Sequence, residues 1–127
     1  MMFTVAVRRD FIARHYLIGG DFGAENELHA HHYYVEMQLR GPELDEYGYL
    51  VDIVEIESVL DSLSEYYRNS TLNDLPEFEG RNPSVERLAY HLCRAFERRI
   101  SAETVTAVTA RVWENDIAWA SYRMERR

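Results

Sequence analysis

Apolar and polar residues alternate from Phe3 to Ala13, with Phe3, Val5 and Val7 on one side of Thr4, Ala6 and Arg8. That is the period of a half-buried strand. The next stretch, IGGDFGAENE, carries three glycines and no period, which predicts a loop long enough to hold function. From His29 to Arg40 the alternation returns, with His29, His31, Tyr33, Val35, Met37 and Leu39 on one face and His32, Tyr34, Glu36, Gln38 and Arg40 on the other. This predicts a second strand.

The period then becomes helical. Asp52 followed by Glu55 reads as a capping box, and Ile56, Val59, Leu60, Leu63 and Tyr67 recur along one face, predicting a helix over 53–67. Asn82-Pro83 reads as a cap residue with proline at the first helical position. Val85, Leu88, Ala89, Leu92 and Phe96 form the stripe of a second helix that ends near Arg99. Two more strands, 105–114 and 117–125, follow, joined by a tight Asn115-Asp116 turn. The order ββααββ predicts an α+β sandwich, one antiparallel sheet with a helix pair on one face. Its free edges invite other subunits to continue the sheet.

Composition narrows the classes. The 127 residues fit one domain spanning 1–127, and 46% hydrophobic residues suffice for a packed core. A net charge of -8, from 14 Lys and Arg against 22 Asp and Glu, repels nucleic acid and acidic membranes. Arg68, Arg81, Arg87, Arg94, Arg98 and Arg99 are spread through the second half, and the plain reading is solvated helix faces. The start lacks the apolar stretch of a signal peptide, and no run of about 18 apolar residues occurs, so a cytoplasmic protein is expected. Cys93 is the single cysteine, which excludes an intramolecular disulfide.

The histidines carry the chemistry. His29 and His31, two apart in a strand, project from one face within reach of a single ion. His15 shares the parity of Phe11 and Ala13 at the end of the first strand, where pairing with the second would bring it close. An isolated H-x-H pair serves packing as readily as coordination; three of the five histidines converging at strand ends tips the reading toward metal. Three neutral imidazoles with a free fourth position is how catalytic zinc is held, although the protein could select another divalent metal. His32 faces the other way, and His91 lies on a helix flank.

Six stretches occur in order: Phe11-Ile-Ala-Arg-His15, Leu28-His29-Ala-His31-His-Tyr33, Gly48-Tyr-Leu-Val-Asp52, Leu72-Asn73-Asp74, Asn82-Pro83-Ser84-Val-Glu86 and Val112-Trp-Glu114. The chain resembles the 6-pyruvoyl and 6-carboxytetrahydropterin synthases, enzymes of the tunnelling fold, over nearly its whole length. The resemblance implies zinc on His15, His29 and His31, with Ala30 where the family usually has glycine. It implies that Glu114 anchors a reduced pterin by accepting paired hydrogen bonds from the guanidine-like ring edge, and that Ser84 stands where a threonine approaches the pterin. It also implies a homohexamer, a dimer of trimers whose sheets close into barrels.

Departures matter as much. The family's usual cysteine, four residues before the H-x-H pair, is Glu25 here, and its Asp-His proton relay aligns with Arg68 and Asn69, which do not shuttle protons. Glutamate at the cysteine position is a variant associated in the family with cleaving 7,8-dihydroneopterin triphosphate to 6-hydroxymethyl-dihydropterin. This supports Glu25 as general base, with Glu27 in reserve; Arg68 and Asn69 read first as an exposed helix end and loop, with added positive charge near a triphosphate tail as the lesser reading of Arg68. The leading expectation is a zinc-dependent pterin lyase. The alternative is a pterin-binding homologue impaired in catalysis by loss of the cysteine and the relay. A three-histidine hydrolase unrelated to pterins would leave Glu114 and Ser84 unexplained.

Overall fold

The computed structural model describes residues 2–126. Strands β1 (Phe3–His15), β2 (His29–Gly41), β3 (Ala107–Trp113) and β4 (Trp119–Glu125) form one antiparallel sheet in the order β1-β2-β3-β4. Helices α1 (Ile53–Tyr67) and α2 (Val85–Glu97) follow β2 and cover one face, α1 over β1 and α2 over β3 and β4. The expected ββααββ α+β architecture is the one observed.

Strand alternation builds the core. Phe11, Ala13, Tyr33, Val35, Met37, Leu39, Val108, Ala110 and Val112 point inward and are buried. They meet Ile56, Leu60, Leu63 and Tyr67 of α1 and Leu88, Leu92 and Phe96 of α2. Each such side chain contributes about 1.5–3 kcal/mol on leaving water. Phe11 ties the sheet to α1, its ring 5.8 Å from that of Tyr67 and 5.7 Å from that of Tyr33. The helices pack on the sheet far more than on each other, which leaves a groove between them.

Four local expectations need correction. The capping box over Asp52 and Glu55 is half formed: the Asp52 carboxylate accepts from Val54 N at 2.9 Å, but Glu55 reaches across to accept from Ser101 N and Oγ. Helix α2 is capped by Ser84, whose hydroxyl accepts from Arg87 N, because the Asn82 amide is engaged elsewhere. The connection from β3 to β4 takes five residues, 114–118. The Asn115 side chain accepts from both Ile117 N and Ala118 N there, and Ile117 lies in the turn, 91% exposed, outside the strand. Strand β3 begins at Ala107, after the chain turns through a Val105 N to Ala102 O bond.

Candidate metal and active site

The β1–β2 register sets His15 opposite His29 and Ala13 opposite His31, so three imidazoles leave the same face at the open end of the hairpin. Their ring centroids lie 4.5, 4.8 and 4.9 Å apart, edge to face. Beyond the sheet, the outer edge of β1 is tied by a series of surrogate partners. Asn69 N donates to Ile12 O at 2.7 Å, and Arg14 N donates to Ser70 O at 2.8 Å. The Asn73 side chain then accepts from Tyr16 N at 3.0 Å and donates to Tyr16 O at 2.9 Å. Asn82 does the same to Ile18, at 2.7 and 3.1 Å. A carboxamide offers one donor and one acceptor in the spacing of a peptide group, so each asparagine replaces a missing strand residue. His15, between Arg14 and Tyr16, is thereby fixed at its backbone from both sides.

The second ring nitrogens settle the tautomers. His15 Nδ1 donates to Pro83 O at 2.8 Å, and His29 Nδ1 donates to Glu27 O at 2.7 Å. A carbonyl can only accept, so each Nδ1 carries the proton and each Nε2 presents a lone pair. The Nε2 atoms of His15, His29 and His31 are all buried without a hydrogen-bond partner. Burial holds His31 below the ordinary imidazole value; Glu114 opposes this shift, while His15 and His29 reinforce it. Three converging imidazoles with unmatched Nε2 atoms, two of them oriented through Nδ1, fit a divalent metal ion such as zinc.

Two carboxylates border the nitrogens. Glu25, on the short 3₁₀ turn Gly23–Asn26, sets Oε2 2.9 Å from His29 Nε2. The candidate ligand atoms of His15, Glu25, His29 and His31 all lie within 4.8 Å of one another. Glu114, one residue past β3, sets Oε1 3.0 Å from His31 Nε2 and 3.7 Å from His15 Nε2. An open cleft of about 240 Å³ joins His15, Glu25, Ser84 and Glu114, with Leu17 and Val85 as apolar wall. Five of the six expected site residues thus converge on the cluster. Ser84 lies at the cleft's rim with its hydroxyl committed to the α2 cap.

The other candidates lie elsewhere. Glu27 contributes its carbonyl to His29, while its residue surface is exposed. His32 is on the opposite face, 2.6 Å from Asp10. Arg68 closes α1 beside Glu65, and Asn69 follows in the left-handed region at φ 60, a place asparagine tolerates. Neither lines the cleft. Cys93 is fully buried with Sγ 3.5 Å from Val108 O, and burial pushes its thiol up to about 11.

Three contributors escaped the sequence reading: the Pro83 carbonyl, the paired Asn73 and Asn82 clamps, and Tyr33. The Tyr33 hydroxyl is buried without a partner beside His31, and burial, with Glu114 and Glu25, raises it above the ordinary phenol value. Only its inward parity hinted at this, and that parity equally describes a core residue.

The fold and this cluster define a pterin-synthase-type tunnelling domain. The profile of the family "6-pyruvoyl tetrahydropterin synthase" matches residues 4–125, and the chain belongs to that family. Solved structures agree on the fold. Caenorhabditis elegans 6-pyruvoyl tetrahydropterin synthase superposes with TM-score 0.84 at 19% identity, covering 98% of this chain and 97% of that one. Plasmodium vivax 6-pyruvoyltetrahydropterin synthase, as a catalytic-residue mutant with glutamate changed to alanine, gives TM-score 0.85 at 14% identity, covering 99% of each chain. The Plasmodium falciparum enzyme gives 0.84 at 13% identity, covering 98% of this chain and 99% of that one. No curated protein matches the sequence. Among the described residues, no helix is long and apolar enough to cross a membrane.

Proposed function

We propose that the chain is a zinc-dependent lyase acting on a reduced pterin such as 7,8-dihydroneopterin triphosphate, with 6-hydroxymethyl-dihydropterin as the favoured product. The observation that carries this reading is the set of three unpartnered Nε2 atoms with Glu25 and Glu114 on their rim. His15, His29 and His31 would hold the ion, which would supply Lewis acidity toward the substrate hydroxyls. Glu25, half exposed on a short turn, takes a proton from the substrate side chain as general base. Glu114 accepts paired hydrogen bonds from the pterin ring and fixes its distance from Glu25. The glutamate described as catalytic in the Plasmodium vivax enzyme supports a carboxylate in this role. We read the working form as a cytoplasmic homohexamer whose subunits complete the cleft.

Incubating zinc-loaded protein with 7,8-dihydroneopterin triphosphate and identifying products by mass spectrometry tests the proposal. Release of a shortened pterin is expected, and absence of turnover would defeat it. A second reading, a pterin binder without catalysis, draws support from the 2.9 Å approach of Glu25 to His29 Nε2, which suits a fourth ligand closing the site. Glu25→Ala separates the two. The base reading predicts lost turnover with zinc and pterin still bound; the ligand reading predicts weaker zinc with no turnover to lose.

A further inference from the structure

We propose that the groove between α1 and α2 is a second binding site, separate from the histidine cleft, for a condensed phosphate either free or carried on a nucleotide. The groove has a volume of about 390 Å³ and is lined by Tyr66 of α1, by His91, Arg94, Arg98 and Arg99 on and just after α2, and by Glu77. It shares no residue with the cleft around His15.

The cations here are not neutralised. Arg8, Arg9, Arg68, Arg111, Arg123 and Arg126 each stand within 4.0 Å of a carboxylate oxygen. Among the described residues, Arg94, Arg98 and Arg99 have no such partner, as is true of Arg14, Arg40, Arg81 and Arg87 elsewhere, but these three gather in one groove. Two of them are held in place by neutral groups instead. Arg94 Nη1 donates to the Tyr90 hydroxyl at 3.0 Å, and Arg99 Nη1 donates across the groove to Ser62 Oγ at 3.1 Å. Each keeps most of its five N–H donors free.

Glu77 offsets one of these charges but forms no ion pair with them, since both its oxygens accept from the hydroxyls of Tyr66 and Tyr67, each at 2.9 Å. Burial, helped by Glu77, pushes Tyr66 up to about 12, so this donor keeps its proton. Three guanidiniums against one carboxylate and the negative end of the α2 dipole leave a net positive pocket in a chain of charge -8. Planar forks matched to oxygen pairs select phosphate, and a surplus near two charges selects a diphosphate or triphosphate over a single phosphate. The overall negative field disfavours a polyanionic polymer. The exposed Tyr66 ring at the mouth offers a face for a base.

Isothermal titration of the zinc-loaded full chain at low ionic strength, with pyrophosphate, inorganic triphosphate and ADP, tests this, with sulfate as the control anion. Saturable binding is expected that weakens about tenfold or more in Arg94→Gln and in Arg98→Gln and, with zinc stripped from both proteins, is the same in His31→Ala as in the wild type. Arg98 is exposed, so its replacement leaves the core untouched. ADP binding tighter than pyrophosphate, with the difference lost in Tyr66→Ala, identifies a nucleotide; equal affinities identify the free condensed phosphate. Absence of saturable binding at millimolar concentration overturns the proposal. So does binding indifferent to both arginine substitutions, or abolished by His31→Ala in the zinc-free comparison.

Discussion

The histidine cleft and the surroundings of Cys93 both contain side chains that metals favour, yet they are built in opposite ways. Around the histidines the Pro83 and Glu27 carbonyls take the Nδ1 protons of His15 and His29, and the three Nε2 atoms facing the cleft meet carboxylates but no donor. Around Cys93 the sulfur is sealed between α2 and β3, engaged with Val108 O and held protonated. Burial is comparable for His15 and Cys93, at 2% and 0% exposed. What differs is whether the protein supplies a partner. A buried polar atom costs about 1–3 kcal/mol when unmatched, so three at one point mark a place where a ligand completes the structure.

That contrast can be broken most directly at the ligands. His31→Ala should lower zinc affinity by more than the ~10–100-fold that loss of an outer partner costs, with metal analysis after gel filtration falling from one ion per chain to almost none. Full zinc retention would dissolve the distinction. Stripping zinc with a chelator should lower unfolding free energy by about 2.7 kcal/mol relative to protein held at 100 times the dissociation constant. Cys93→Ala should leave that difference unchanged.

A smaller effect tests the surrogate edge. Asn73→Ala removes two hydrogen bonds and should cost about 1–3 kcal/mol in denaturant titration, together with weaker zinc binding because His15 loses one backbone tether. Lost stability with unchanged zinc affinity would make the clamp purely structural. The smallest effect concerns Cys93. Its folded pKa lies above the ordinary 9.0, so between pH 9 and about 11 the unfolded chain sheds a proton that the folded chain keeps. Stability must therefore fall with rising pH through that window, and Cys93→Ala should flatten the slope. The native thiol should also resist alkylation until the chain unfolds.

The sequence showed both helices and four strands, with the inward faces of β1, β2 and the helices, because those faces rest on period. The convergence of His29 and His31 followed from strand parity, and His15 from the hairpin that the two strands had to make. Less visible were features decided by competition between distant partners. Asn82-Pro83 has the chemistry of a helix cap, but the amide gains two bonds at Ile18 and the cap passes to Ser84. Glu55 is likewise drawn to Ser101. The approach of Glu114 to His31 depends on where β3 ends and on a five-residue turn shaped by Asn115. No local pattern encodes that placement.

The tethered edge of β1 also limits how this sheet can grow. From Ile12 to Ile18 the outward main-chain groups are already taken by residues 69–82, and Arg68 reaches Asp10 O. On the β1 edge, the stretch 4–8 lies beyond these bonds. Any strand laid against this side has a landing strip of about five residues, roughly 17 Å. Its register is fixed at one end by an obstacle, and the end so protected is the one that holds the histidines.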